Sequence, residues 1–287
     1  MQAGTKPPIT TAVICANGYS TRRLPITAAI PKDFTPIGNR PAIDYVVDNL
    51  VDGGITDIYF VIPPHHHRIY ERYYIEYPEL DDHLNHKGSA ARLAELKRLR
   101  SRANFKFIQR DVEPDRYGDA LPLAAAMERL GNTPCIYASS DDFTIREDGG
   151  SDIGDLLAGY AMTDTDTAML GAEMPLSQLS HYGVLEIENR NGHPYLKNLV
   201  EKPSQPQNIP MPRLVNISRY IINEAIFPFL SNLEPNPATG EYYITDVMNR
   251  VIRSNDVLVV PARGEYYDVG TLEKWLIANQ KLAHDQL

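Results

Sequence analysis

The fold of this chain is decided near its N-terminus by residues 11–25, which read TAVICANGYSTRRLP. A short apolar run ends at Cys15 and passes into a loop of small and basic residues. This is the pattern of a buried strand followed by a loop that can contact a ligand. Similar apolar runs recur through the first half, separated by segments with helical spacing. The alternation predicts parallel strands covered by helices on both faces, which is an α/β architecture.

The predicted elements extend that pattern along the chain. The first half has predicted strands at 11–15, 58–62, 105–109 and 135–138, and predicted helices at 41–52, 68–77, 87–102 and 119–130. The second half has predicted strands at 167–174, 184–188, 195–200, 214–222 and 256–260, and predicted helices at 244–253 and 272–283. We therefore expect a mixed, mostly parallel central sheet flanked by helices.

Length and composition limit the class of protein. The chain has 287 residues with 28 Lys plus Arg against 37 Asp plus Glu, a net charge of −9. One domain over residues 1–287 is expected, with a flexible N-terminus over residues 1–10. The acidic balance argues against nucleic acid or a membrane surface as a partner. No apolar run is long enough to span a membrane or to act as a secretory signal, so a cytoplasmic protein is expected. Cys15 and Cys135 lie in apolar strands and are expected to be buried free thiols.

The loop after the first strand carries the first chemical signal. Its small residues near Gly18 can offer backbone N–H groups to phosphate oxygens, and Arg22 and Lys32 can supply the positive charge. The glycine patterns of a P-loop and of a dinucleotide-binding turn are both absent. By itself, such a loop is equally compatible with an ordinary turn between a strand and a helix.

Additional motifs give the chain a family resemblance. Residues 21–27 (TRRLPIT), followed by 30–33 (IPKD), resemble the signature of the sugar-1-phosphate nucleotidylyltransferases. Later landmarks in the same order are 140–142 (SDD), 182–184 (YGV), 200–203 (VEKP), 245–246 (TD) and 268–271 (DVGT). The resemblance is greatest to the bacterial UTP:glucose-1-phosphate uridylyltransferases. It implies a Rossmann-like nucleotidyltransferase domain that makes UDP-glucose and pyrophosphate from UTP and glucose 1-phosphate, and it implies a homo-oligomer.

The resemblance also implies a role for each matching residue. Arg22 and Lys32 would be the catalytic cations, and Asp141 and Asp268 would bind Mg2+, which prefers oxygen ligands. Residues 11–150 would form a nucleotide-binding half and residues 151–287 a sugar-binding half. The predicted nucleotide-binding residues are Ala16, Asn17, Gly18, Ser20, Thr21, Gln109 and Gly118. The predicted sugar-phosphate-binding residues are Gly183, Glu201, Lys202 and Asn216.

The motif also departs from the family pattern. Asn17 stands where Gly or Ala is usual, and Ser20 replaces a loop glycine, which is costly if that position needs a positive φ. Two alternatives therefore stay open: the same chemistry with dTTP or another sugar 1-phosphate, or a nucleotide-sugar-binding regulatory protein without turnover. Arg23 has no matching role and is expected on the surface.

Two further clusters are interpreted as structural. The run of histidines at 65–67 cannot place three imidazoles around one ion on a helix, so a polar loop or helix start is favoured over a metal site. The tyrosines between positions 70 and 77 have helical spacing and are expected to form a packing face.

Overall fold

The fold is a central sheet with helices on both sides. The computed structural model describes residues 6–209 and 211–283. The strands are β1 (Thr11–Cys15), β2 (Pro36–Ile37), β3 (Arg40–Pro41), β4 (Asp57–Ile62), β5 (Asn104–Gln109), β6 (Cys135–Ser139), β7 (Asp142–Ile145), β8 (Thr167–Glu173), β9 (Gly183–Arg190), β10 (His193–Glu201), β11 (Leu214–Ile222), β12 (Val257–Pro261) and β13 (Glu265–Asp268). The helices are α1 (Ala42–Asp52), α2 (His67–Tyr74), α3 (Pro78–His86), α4 (Ala90–Arg100), α5 (Ala120–Leu130), α6 (Asp152–Met162), α7 (Phe227–Ser231), α8 (Ile244–Val251) and α9 (Leu272–Leu282).

Within the described residues, nine strands form the central sheet in the order β5-β4-β1-β6-β11-β8-β12-β10-β9. The pairs among β5, β4, β1 and β6 are parallel, as is the pair β8–β12. The pairs that β11 makes with β6, β8 and β9 are antiparallel, as are those of β10. The predicted mixed α/β single domain is therefore confirmed, but the described sheet is not mostly parallel: four of its strand pairs are parallel and five are antiparallel, because β9, β10 and β11 pair antiparallel.

The sheet is apolar on both faces because helices cover both. In β1, Ala12 and Ile14 face one layer of the core, and Val13 faces the other. All three side chains are fully buried. A short continuous apolar run is what a strand covered on both faces requires. This explains why TAVIC marks the centre of the fold.

Several predicted boundaries hold, and three of the described helices, α3, α6 and α7, were not predicted. The predicted helix at 68–77 ends at Tyr74, and a separate helix, α3, begins at Pro78, a residue favoured in the first turn. Helix α6 was not predicted, although the Ser151 hydroxyl caps it by accepting a hydrogen bond from the N–H of Gly154 at 3.1 Å. The histidine run lies in a 3-10 turn that leads into α2, as expected.

The N-terminal segment is attached to the domain from residue 6 onward. Lys6 Nζ donates hydrogen bonds to the carbonyls of Tyr160, Thr163 and Thr165 at 3.0, 3.0 and 2.5 Å, and Ile9 is buried. This differs from the flexible N-terminus expected over residues 1–10, of which residues 1–5 lie outside the described part. Among the described residues, no helix has the length and apolar character needed to cross a membrane.

The topology gathers loops at one edge of the sheet. Strands β1, β5 and β6 run parallel and end at Cys15, Gln109 and Ser139. The loops that follow these strands therefore meet at the same edge, which is where α/β sheets of this kind bind ligands. Asp141 belongs to the loop after β6.

Candidate functional site

A cleft of about 450 Å³ opens at this edge of the sheet. Its walls come from the loop after β1, the segment that leads into α5, the end of β6, and single residues from three other loops. The lining residues are Cys15, Ala16, Asn17, Gly18, Tyr19, Ser20, Thr21, Arg22, Lys32, Val112, Glu113, Pro114, Tyr117, Gly118, Asp119, Pro122, Tyr137, Ser139, Glu241 and Gly270. Six of the seven predicted nucleotide-binding residues and both predicted catalytic cations are among them.

Ser20 shapes the loop after β1. Its backbone has φ 53° and ψ 46°, the left-handed conformation, so the position does need a positive φ, as the sequence suggested. The Ser20 carbonyl accepts hydrogen bonds from the backbone N–H of Arg23 at 3.0 Å and from the Thr27 hydroxyl at 3.1 Å. These contacts hold a conformation that costs roughly 1 kcal/mol in residues with a Cβ.

Arg22 and Arg23 point in opposite directions from the 3-10 turn at residues 21–23. Arg22 is exposed at the cleft and makes no ion pair with a described residue. Arg23 is only 4% exposed, and its Nη1 donates to the carbonyl of Val269 at 3.0 Å. The expectation that Arg23 lies on the surface is therefore wrong. The guanidinium is buried because it ties the loop to the segment that follows Asp268.

Lys32 and Asp141 form the first charged pair of the cleft, with Nζ 2.7 Å from Oδ2. The Ser139 hydroxyl donates to Asp141 Oδ1 at 2.6 Å. Burial alone would raise the pKa of Asp141, but the charge of Lys32 outweighs it and lowers that pKa to about 2. Burial lowers the pKa of Lys32, and Asp141 outweighs this effect, so that pKa is raised. Both groups are therefore ionised at neutral pH.

Asp268 and Lys274 form a second charged pair beside the first. Asp268 Oδ1 accepts a hydrogen bond from the N–H of Gly270 at 2.8 Å, and Oδ2 accepts from Lys274. A Cβ atom placed on Gly270 would lie 3.0 Å from Asp141 Oδ2 and 3.1 Å from Asp268 Oδ1. The structure thus brings the two predicted metal ligands close to the same glycine, where a side chain would crowd both carboxylates.

Asp142 is a third, buried carboxylate that supports the segments carrying Asp141 and Asp268. It lies opposite Asp268 in the β7–β13 pair and is buried. Its Oδ1 is 2.8 Å from Arg219 Nη1, and its Oδ2 accepts from the Tyr266 hydroxyl at 3.1 Å. Burial raises the pKa of Asp142 to about 6 in spite of the Arg219 charge. Asp142 is therefore a buried anchor of the β7–β13 pair and does not line the cleft.

Asn17 fixes one end of the cleft to the segment after β5. Its Nδ2 donates to the Arg110 carbonyl at 2.6 Å, and its Oδ1 accepts from Arg110 Nη1 at 2.9 Å. Arg110 also pairs with Glu113 at 2.9 Å. Gln109 does not line the cleft and lies in a neighbouring hollow beside α5, which Arg110 and Glu113 also line. The next residue, Arg110, makes the contact with the loop after β1.

Gly118 lies where the backbone of Tyr242 comes too close for any side chain. Its φ is +139°, and a Cβ there would collide with the backbone of Tyr242. The next residue, Asp119, accepts a hydrogen bond from the N–H of Ile244 at 2.8 Å and so caps α8. Glu113, Tyr117 and Glu241 line this end of the cleft, Arg110 contacts it through Asn17, and none of the four was predicted. The charge of Arg110 directly after a predicted strand was the available signal.

Three of the predicted sugar-site residues are neighbours: Gly183 at the start of β9, Glu201 at the end of β10 and Asn216 in β11. A Cβ on Gly183 would lie 2.9 Å from Glu201 Oε2 and 3.7 Å from the Cβ of Asn216. Lys202 has φ 43°, so the strand ends at Glu201 and Lys202 does not continue its alternation. As a result, Lys202 Nζ lies 3.4 Å from Glu201 Oε1, and both side chains are available on the same side.

Tyr182 links this group to the carboxylates. It precedes Gly183, its carbonyl accepts a hydrogen bond from the N–H of Lys202 at 3.1 Å, and Lys274 Nζ lies 4.1 Å from its ring centroid. The site thus combines two cations, two carboxylates and a neighbouring cluster of polar residues. Such a set suits the transfer of a phosphoryl-containing group between two anionic molecules.

The nucleotidyl transferase family model matches residues 11–285 of the chain. The chain belongs to this family. UTP–glucose-1-phosphate uridylyltransferase YngB of Bacillus subtilis (strain 168) is 32% identical over 260 residues, which are 90% of this chain and 84% of the relative. The crystal structure of apo UDP-glucose pyrophosphorylase is 25% identical with a TM-score of 0.85, covering 98% of this chain and 100% of that one. The structure of UDP-glucose pyrophosphorylase complexed with UDP-glucose is 26% identical with a TM-score of 0.80, covering 97% and 100%.

Proposed function

We propose that this nucleotidyl transferase makes UDP-glucose and pyrophosphate from UTP and glucose 1-phosphate. The observation that carries the proposal is the convergence of Arg22, Lys32, Asp141 and Asp268 beside the cluster around Gly183. The names of the similar proteins reported above support the same substrates. In the proposed reaction, a phosphate oxygen of glucose 1-phosphate attacks the α-phosphorus of UTP. The bond from that phosphorus to the bridging oxygen breaks, and pyrophosphate leaves with its electron pair.

The two cations have separate tasks in this reaction. Arg22 is exposed and has no ion pair with a described residue, so it is free to neutralise the β- and γ-phosphates as they depart. Lys32 lies deeper, on Asp141, where it can contact the α-phosphate and the incoming phosphate. Arg23 holds the loop beneath them through Val269. Positioning and charge neutralisation are the main contributions that a protein makes to this chemistry.

We propose Mg2+ as the cofactor, held by Asp141 and Asp268. The residues fit such an ion because both are carboxylates and only Gly270 separates them. The described residues contain no group of three or more metal-ligating side chains, which agrees with an ion that keeps waters and phosphate oxygens as its other ligands. When bound, the ion would supply charge stabilisation at the phosphates. Asp141 is ready to act as a ligand because its pKa of about 2 keeps it ionised.

The two halves of the chain would divide recognition between them. Residues 11–150 would bind UTP, with the uracil read at the end of the cleft formed by residues 16–18 and Gly118. Residues 151–287 would bind the sugar, with Glu201 accepting hydrogen bonds from its hydroxyls and Lys202 meeting its phosphate. These two side chains lie on the same side of the strand end, as that division requires.

The deciding experiment measures pyrophosphate release with each of the four common ribonucleoside triphosphates and dTTP, combined with several sugar 1-phosphates. The proposal expects UTP with glucose 1-phosphate to give the highest kcat/KM, and chelation of divalent cations to abolish turnover. If the protein prefers dTTP or another sugar 1-phosphate, the proposed substrates are wrong but the proposed type of reaction stands. Binding of UDP-glucose without any pyrophosphate release would instead identify a nucleotide-sugar-binding protein.

We also propose that the chain forms a homo-oligomer, which the family resemblance implies. Large apolar side chains exposed on α9 support this proposal: Leu272, Leu276 and Ile277 are each about half exposed. Light scattering coupled to gel filtration tests it. A mass of one chain at micromolar concentration would contradict it.

A further inference from the structure

Two lysine–aspartate pairs lie side by side in the site, but only one lysine belongs to the motifs in the sequence. Lys32 pairs with Asp141, and Lys274 pairs with Asp268. Lys274 lies outside the DVGT landmark at 268–271 and outside every other landmark that carries the resemblance. Its role must therefore be argued from its position.

Lys274 is held in a defined place between the two parts of the site. It lies in the first turn of α9, where the Thr271 hydroxyl accepts a hydrogen bond from its backbone N–H at 3.3 Å. Its side chain is 29% exposed, with Nζ on Asp268 and over the ring of Tyr182. Tyr182 adjoins Gly183, which lines the group of predicted sugar-site residues. Lys274 thus stands between a proposed metal ligand and the proposed sugar subsite.

A divalent cation and the Lys274 ammonium group compete for the same carboxylate. Asp268 Oδ1 already accepts from Gly270, and Oδ2 is occupied by Lys274. A cation bound between Asp141 and Asp268 would lie close to the Lys274 ammonium group and repel it. Charges of the same sign a few ångströms apart interact strongly in a partly buried site. The displaced ammonium group then needs another anion within reach.

We infer that Lys274 holds Asp268 in place of the divalent cation in the free enzyme, and moves to the phosphate of the sugar 1-phosphate when the cation binds. This inference rests on the proposed function. It makes Lys274 a binding residue for the second substrate. It also predicts that the free enzyme binds divalent cations more weakly than two unpaired carboxylates would.

The test compares three variants with the parent protein. Lys274→Met removes the charge but keeps the length, and Lys274→Arg keeps the charge. Lys281→Met is the matched control, because Lys281 lies on the same helix and pairs with Glu265 instead. The first readout is Mn2+ binding to the substrate-free protein by electron paramagnetic resonance. Lys274→Met is expected to bind Mn2+ about fivefold more tightly, while Lys281→Met stays unchanged.

The second readout is steady-state kinetics with both substrates varied. Lys274→Met is expected to raise the KM for glucose 1-phosphate about tenfold and to leave the KM for UTP unchanged, with partial recovery in Lys274→Arg. An unchanged Mn2+ affinity, or an unchanged KM for glucose 1-phosphate, overturns the inference. If the parent protein releases no pyrophosphate from these substrates, the proposed function fails, whereas the Mn2+ titration still decides whether Lys274 competes with the cation.

Discussion

Arg22 and Arg23 are adjacent in the chain, yet their side chains have different environments and different roles. Successive side chains of a 3-10 turn point about 120° apart, so one arginine faces the cleft while the next lies beneath the loop. Arg22 is available to an anionic ligand. Arg23 donates to Val269 and faces the ring of Trp275, 5.3 Å from the centroid.

Replacing Arg22 is expected to change turnover, whereas replacing Arg23 is expected to change stability. Arg22→Ala should lower turnover about a hundredfold or more, because the leaving pyrophosphate loses its counter-charge, and should leave the unfolding free energy unchanged. Arg23→Ala should lower the unfolding free energy by about 2 kcal/mol, because the Val269 carbonyl loses its partner. Pyrophosphate release and urea denaturation of both variants check this. Normal turnover in a folded Arg22→Ala protein would remove Arg22 from the mechanism.

Charge and backbone chemistry made part of the site predictable at this scale. A serine in a position where the family has glycine indicated the positive φ of Ser20. The charge of Arg22 and Lys32 in a loop of small residues made them candidates for binding an anion, and the family resemblance supplied their predicted roles. The burial of Arg23 was not predictable, since its partner lies 246 positions away in the chain. Gln109 does not line the cleft although the end of β5 was predicted correctly, because the end of a strand does not by itself fix which hollow its last side chain enters.

At the scale of elements, the β7–β13 pair decides where the two proposed metal ligands lie. Arg219 reaches Asp142 from β11, whose register shifts between Asn216 and Tyr220 and whose Ser218 has φ 50°. The Asn216 side chain stabilises this bulge by accepting a hydrogen bond from the N–H of Ser218 at 2.9 Å. A bulge redirects the side chain that follows it, so Arg219 points to Asp142.

Removing Arg219 tests that support. Arg219→Met should lower the unfolding free energy at pH 8 by about 3 to 5 kcal/mol, because it leaves a buried carboxylate without its counter-charge. The loss should be smaller at pH 5, where Asp142, with a pKa of about 6, is protonated. Urea denaturation at both pH values measures this. The double variant Asp142→Asn/Arg219→Met should recover most of the loss, and an equal loss in both proteins would contradict the argument.

The end of β10 carries the proposed sugar contacts. Glu201→Gln keeps the size but loses the charge, so it should weaken binding of UDP-glucose and leave UTP binding nearly unchanged. Lys202→Ala should raise the KM for glucose 1-phosphate more than it affects UTP, with a cost of about 1.5 to 3 kcal/mol. Calorimetric titration with UTP and UDP-glucose, together with kinetics, separates the two effects. Loss of UTP binding in Glu201→Gln would mean that the sugar subsite lies elsewhere.

Elements with a clear period were predictable, whereas elements without one were not. The strands of the parallel half and helices α1, α5, α8 and α9 fall close to their predicted positions. Helix α6 was missed because its sequence, DIGDLLAGYAM, contains two glycines, which disfavour a helix interior. Here packing against α1, β8 and β12 outweighs the intrinsic preference.

At the scale of the whole molecule, buried carboxylates make stability depend on pH. Asp33 is 2% exposed, and burial raises its pKa to about 6 although the Tyr70 hydroxyl donates to it. The folded protein therefore binds a proton at Asp33 more tightly than the unfolded chain does. The stabilisation by this group is complete below about pH 4 and is lost as the pH rises through about 6. Asp142 acts in the same direction, and Asp141, with its pKa of about 2, acts in the opposite direction at lower pH.

Asp33→Asn should therefore stabilise the protein at pH 8 by on the order of 2 kcal/mol and flatten the change in stability between pH 4 and pH 6. The amide keeps an acceptor for Tyr70 and carries no charge that must be desolvated. Chemical denaturation at several pH values checks the expectation. Asp57→Asn, at a more exposed carboxylate, serves as the control, and a less stable Asp33→Asn protein at pH 8 would contradict the assignment.

The central place of β11 has a consequence for how the protein is made in the cell. During translation, β1, β4, β5 and β6 are all synthesised by residue 139, yet the sheet neighbour of β6 is β11, which is synthesised only at residues 214–222. If the four strands pair before then, the edge of β6 has unpaired backbone groups, a surface prone to pairing with other chains. We therefore expect the nascent first half to need rapid completion of synthesis or chaperones to avoid aggregation.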